Sequence, residues 1–194
     1  MIQIIKFNEH AIVVVDSDAD GFTSSAILIN YLHDLFPAWV ENNLTYILHT
    51  GKQHGLNDHI DELMEKEKWD SKFGLVIVPD AGSNDTEECT RLKKEGIKTI
   101  VLDHHLCDID NPDAIVINNQ LSDYPNKDFS GAGVTWQFCR YLDKLLQINN
   151  ADEYLDLVAL GLCADMMSMT SIETKHLINK GFHNVKNPFF YNLA

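Results

Sequence analysis

The stretch "VVVDSDADGF" at residues 13–22 sets Asp16, Asp18 and Asp20 directly after an apolar run. Asp80 closes another apolar run in "VIVPDAGSND", and Asp103, His104 and His105 close a third in "TIVLDHH". None of these segments contains Lys or Arg. Two carboxylates about 5 Å apart at an effective dielectric of ~20 repel by roughly 3 kcal/mol. Several gathered together would rival the stability of a domain. Either such carboxyls take up protons, or divalent cations supply the missing charge. Oxygen donors mixed with imidazole suit Mn²⁺, whereas Mg²⁺ prefers oxygen and water. A carboxylate bridging two ions about 3.5–4 Å apart is the usual arrangement for hydrolysis of phosphoesters.

Each motif also has a simpler reading. An Asp at a strand end often caps the next helix, and Asp20, followed by Gly21 and a helical pattern, stands open between cap and site. Asp80 taken alone reads as a cap. A calcium loop starting at Asp16 would need Glu at its twelfth position, which is Ile27, so that reading fails. "SGAGV" (130–134) opens a helical pattern with small residues. Ser130, Gly131 and Gly133 there either receive a phosphate on backbone N–H groups or start a helix with Ser130 as N-cap. Lys52, His54 and Lys127 are candidate phosphate contacts, or residues of solvated loops.

The elements that must position these residues alternate strand and helix. "AIVVV" (11–15) is short, β-branched and apolar throughout, as expected of a strand buried on both faces. Further strands are expected over 44–48, 74–80, 98–103 and 114–118. Helical patterns run through 22–36, where Pro37 marks an end, then 56–67 and 84–95, with Gly96 just beyond. From 131 onward the chain reads as helical, over about 131–147, 152–165 and 171–182. This is an α/β chain with a five-stranded parallel doubly wound sheet, right-handed crossovers and a helical C-terminal part. Ligands of such sheets bind at the carboxyl ends of the strands, where Asp16, Asp18, Asp80, Asp103, His104 and His105 all fall.

The chain has 194 residues, 45% of them hydrophobic, which suits one globular domain with a substantial core. No apolar run is long enough to cross a membrane, and "MIQIIKFNEH" lacks the features of a signal peptide. Cys89, Cys107, Cys139 and Cys163 form no CxxC pair, so structural zinc is not expected, and free thiols in a reducing cytoplasm are. The formal net charge of −14 is awkward for a nucleic-acid binder, whose affinity comes from Lys and Arg. It suits a protein that neutralises some of its acid with metal, with much of the rest on solvated helix faces. The aromatics near the end, Phe189, Phe190 and Tyr191, suggest that the chain is a fragment or that they meet another domain or subunit.

The three motifs resemble those of the DHH phosphoesterase superfamily, and most closely the catalytic domain of RecJ-type single-strand exonucleases. The resemblance spans nearly the whole chain. "DSDADG" is similar to the family's first motif, "VPD" to its second and "LDHH" to its third. The fourth is an Asp in a late helical segment, which "ALGLCADMMSM" places at Asp165. "HTGKQHGLND" (49–58) and "INNQLSDYPNKDFSGAGVTWQF" (117–138) are also RecJ-like. The resemblance implies two ions, Mn²⁺ or Mg²⁺. Asp16 and Asp18 would each hold one, Asp80 would bridge them, and His104 and Asp165 would complete the second site. It further implies that His105 polarises the phosphate or stabilises the leaving oxygen. Asp103 would orient an imidazole, and Asp20 would hold water or metal. A His that many members carry four residues before the first Asp is here Ile12, which leaves the first metal site short of a ligand.

On this resemblance the expected activity is metal-dependent 5′-to-3′ hydrolysis of single-stranded DNA, in the cytoplasm and within DNA repair and recombination. Two alternatives stay open: a phosphodiesterase for short oligonucleotides or cyclic dinucleotides, and a non-catalytic partner protein derived from the same fold. The family's usual C-terminal substrate-binding domain is absent from the sequence. Residues 1–194 are therefore expected to form one domain, the N-terminal catalytic half of a larger protein or a truncated stand-alone form.

Overall fold

A computed structural model describes residues 1–49, 51, 53–65, 73–107, 110–121 and 123–192, with the side chain of Tyr191 left aside. Five strands, β1 (His10–Val15), β2 (Leu44–Leu48), β3 (Phe73–Pro79), β4 (Lys98–Asp103) and β5 (Ile115–Asn118), form one parallel sheet in the order β2-β1-β3-β4-β5. All five strands legible in the sequence are present, within one residue at each end.

The continuous apolar runs follow from burial on both faces. Ala11, Val13 and Val15 of β1 point into one core, and Ile12 and Val14 into the other. The first core is covered by α2 (Ala19–Leu35), α6 (Gly131–Leu146) and α7 (Leu155–Ala164), which supply Ile27, Leu28, Tyr31, Cys139, Leu142 and Val158 among others. The second lies under α4 (Ile60–Met64) and α5 (Thr86–Lys94), through Ile60, Leu63, Cys89 and Leu92. Helices thus flank both faces, and α8 (Ile172–His183) packs on α7.

Three short helices are absent from the sequence reading: α1 (Ile2–Lys6), α3 (Pro37–Asn43) and α9 (Pro188–Tyr191). Pro37 does not simply end the preceding helix. It is the first residue of α3, where its missing N–H costs nothing and its fixed φ is helical already. The helix expected over 56–67 is only α4, and its expected last turn runs beyond the described residues.

From β1 the chain crosses to β2 on one side and then returns to β3 on the other. The crevice beyond β1 and β3 is therefore the topological switch point of the sheet, the place where open α/β sheets bind ligands. Asp16 follows β1 and Asp80 follows β3, so the two acids flank it.

Candidate metal centre

The site is built from strand ends and helix starts. Pro79 pairs with Leu102 across β3 and β4, and the Asp80 N–H donates to the Leu102 carbonyl at 2.7 Å, which keeps Asp80 level with the end of β4. Its φ of 69° lies in the left-handed region, a conformation a non-glycine residue adopts at a cost and which recurs at functional sites. The Asp80 side chain is buried, and neither carboxylate oxygen accepts a well-formed hydrogen bond. Burial first, then the charges of Asp20 and Asp18, push this carboxyl up to about 11.

Donor atoms converge on it from two sides. One oxygen each from Asp16, Asp18 and Asp80 lie within 4.8 Å of one another. On the other side, His104 Nε2 lies 3.2 Å from Asp80 Oδ1 and 3.5 Å from Asp165 Oδ2. His104 is buried, and Asp165 is the partly exposed residue that ends α7. Asp80 thus stands in two groups of donors, one with Asp16 and Asp18 and one with His104 and His105, and His104 links the second to Asp165. Room for Asp80 comes from Gly131, where any Cβ would collide with the Asp80 carboxylate. An orphaned buried carboxylate between two groups of oxygen and imidazole donors is what a pair of divalent cations requires, and the residues present fit such a pair.

Asp103 plays a different part. It accepts hydrogen bonds from the backbone N–H groups of Ser83 (3.0 Å), His104 (2.7 Å) and His105 (3.0 Å), and from His105 Nδ1 (2.8 Å). Burial opposes its charge, but the bonds from His105 and Ser83 win and hold the carboxyl well below the usual range. Asp103 in turn raises the pKa of His105 above its ordinary value, through the hydrogen bond first and charge second. Asn118, paired with Asp103 across β4 and β5, donates to Ser83 Oγ (2.9 Å) and to the His105 carbonyl (2.9 Å), so it braces both neighbours. Its position at a strand end beside Asp103 was the signal in the sequence for that role.

Two expectations about caps need correction. The N-cap of α2 is Asp18, which accepts from Gly21 N–H at 2.8 Å, and Asp20 sits in the helix's first turn. The Asp20 carboxylate reaches across the fold to α6 instead and accepts from the N–H groups of Gly131 (2.6 Å) and Ala132 (3.1 Å). Ser130 stands at the N-cap position of α6 but makes no cap bond, and its hydroxyl is buried without a partner. Ser130, Gly131 and Gly133 are all buried, and the helix end expected to meet a phosphate is met by Asp20. The same Asp20 lies 3.8 Å from His104 Nε2 and groups with His104 and Asp165.

His54 is not isolated on its loop: Nδ1 lies 2.8 and 3.0 Å from the two oxygens of Asp16. Lys127 donates to the Asn119 carbonyl. Lys52 lies outside the described residues. His54 and His105 both line a cleft of about 700 Å³ whose wall includes Gly82, Ser83 and Asn84. No helix among the described residues is long and apolar enough to cross a membrane.

The model of the DHH family, N-terminal domain, matches residues 10–162. The chain belongs to the DHH family. It is 42% identical over 182 residues to a putative SPbeta prophage-derived single-strand DNA-specific exonuclease, YorK, of Bacillus subtilis (strain 168), covering 93% of this chain and 30% of that protein. It is 32% identical over 171 residues to the single-stranded-DNA-specific exonuclease RecJ of the same strain, covering 86% of this chain and 20% of that one. A crystal structure of exonuclease RecJ bound to manganese matches with a TM-score of 0.80 at 24% identity, over 95% of this chain and 46% of that chain. RecJ from Thermus thermophilus in complex with Mn²⁺ matches with a TM-score of 0.75 at 25% identity, over 93% and 25%. The chain thus spans about a third or less of the length of the curated relatives it matches.

Proposed function

We propose that this DHH domain hydrolyses phosphodiester bonds with two divalent ions, Mn²⁺ or Mg²⁺, and acts as an exonuclease on single-stranded DNA from the 5′ end. The observation that carries the reading is Asp80, a buried carboxylate that accepts no well-formed hydrogen bond at either oxygen and stands between two sets of metal-type ligands. The names of the relatives, single-strand DNA-specific exonucleases, support the choice of substrate.

Asp16, Asp18 and Asp80 would hold one ion, and Asp80, His104 and Asp165 the other. When bound, the ions supply an activated water and the positive charge that offsets charge on the phosphoryl oxygens. The protein's own groups do the rest. Asp103 keeps Nδ1 of His105 occupied, which leaves Nε2 as the ring atom to hydrogen-bond a phosphoryl or leaving oxygen. Asp20, engaged with α6, fixes the helix whose first residue makes room for Asp80. We read residues 1–194 as the catalytic part of a larger protein or a truncated stand-alone form of it, the matched relatives being much longer.

Asp80→Ala tests the reading. It should abolish Mn²⁺-dependent release of nucleotides from 5′-labelled single-stranded DNA while the far-ultraviolet circular dichroism stays native. Full activity in that variant refutes the bridging role. A second reading, a phosphodiesterase for short oligonucleotides or cyclic dinucleotides, is favoured by one observation. The described residues lining the cleft beside His54 and His105 include no Lys or Arg to track a long backbone. Comparing turnover of a long single strand with that of a dinucleotide separates the two.

A further inference from the structure

We propose that His54 is a positioning residue of the metal centre. Its Nδ1–H fixes the orientation of Asp16 and thereby sets the affinity of the site that Asp16 shares with Asp18 and Asp80. This rests on reading that acidic group as a metal site.

Asp16 is buried, and Gly21 packs so closely on it that a Cβ there would lie 2.6 Å from the Asp16 Cβ. A carboxylate in that position still rotates about its terminal bond, and a ligand free to rotate costs affinity. The imidazole of His54 meets both oxygens, at 2.8 and 3.0 Å. It does so from outside the group formed by Asp16, Asp18 and Asp80, which does not include it. His54 therefore acts through Asp16. Ile12, upstream of Asp16 in β1, is wholly buried in the core and brings no donor.

The loop carrying His54 is pinned on both sides. Ser17 Oγ, next to Asp16 in the chain, donates to the Gln53 carbonyl at 3.1 Å. On the far side, Leu56 N–H donates to Asp85 Oδ2 at 2.7 Å, and the Leu56 side chain is buried. Between them Gly55 takes φ +69°, and a Cβ at that position would collide with the Asp85 carboxylate. The His54 side chain itself is 62% exposed. A largely exposed imidazole held by two anchors against a buried carboxylate is explained by what it does to that carboxylate, since it contributes little to the core. The arrangement repeats that of His105 and Asp103 with the roles exchanged. In one pair the carboxylate orients the imidazole, and in the other the imidazole orients the carboxylate.

The test is Mn²⁺ binding to the full chain, followed by the loss of the free-ion electron paramagnetic resonance signal. His54→Ala and His54→Gln should weaken one of the two sites by about 10- to 100-fold, the usual effect of removing a hydrogen bond to a metal ligand. His54→Asn should bind close to wild type, because its amide nitrogen branches from Cγ as Nδ1 does. A Gln nitrogen stands one atom further out. A merely structural role would not distinguish Asn from Gln. Unchanged binding in His54→Ala, or binding in His54→Asn as weak as in His54→Gln, overturns the proposal. Should His54→Ala not fold, the Asn and Gln pair alone decides. Failure of the wild type to bind Mn²⁺ at all would instead overturn the metal-centre reading.

Discussion

Asp80 concentrates the cost of the site in one side chain. It occupies a left-handed backbone conformation, is buried with no well-formed hydrogen bond to its carboxylate, and faces Asp20 and Asp18. Because burial raises its folded-state pKa from 3.8 to about 11, the carboxyl favours folding below pH 3.8, where both states are protonated. That contribution is lost as pH climbs toward about 11. In EDTA, Asp80→Asn should therefore melt higher than wild type at pH 7 and no higher near pH 3. A lower melting temperature at pH 7 would mean that the carboxylate is satisfied without metal. The acids after β1, β3 and β4 were legible because each segment follows an apolar run and lacks Lys and Arg, whereas Asp165 came only from the resemblance to the family's fourth motif. The partnership of His54 with Asp16 was not legible, since the two are 38 positions apart and nothing in their spacing records that a loop folds back over β1.

At the scale of elements, the strands were legible because burial on both faces leaves unbroken β-branched runs. The helices α1, α3 and α9 were missed because seven residues or fewer give too few turns for a periodic pattern. The anchoring of α6 was missed for a different reason. Its cap comes from Asp20, 111 residues earlier, and not from the neighbouring Ser130. This cross-fold cap ties the first acidic segment to the helix that shelters Asp80, so one residue serves fold and site together. Asp20→Ala should leave two buried N–H groups without acceptors, at roughly 1–3 kcal/mol each. Relief of repulsion with Asp80 offsets part of this. The metal-free variant should unfold at lower urea concentration than wild type. An unchanged midpoint would show that the start of α6 finds another acceptor.

At the scale of the whole molecule, the order β2-β1-β3-β4-β5 brings acids from β1, β3 and β4 and from the end of α7 to one edge of the sheet. The net charge of −14 is in part the consequence of that edge. The most direct measurement is anomalous diffraction at the manganese edge from crystals soaked in Mn²⁺. The account predicts two peaks, one among Asp16, Asp18 and Asp80 and one among Asp80, His104 and Asp165. A crevice without anomalous signal, its carboxylates turned apart, would contradict it.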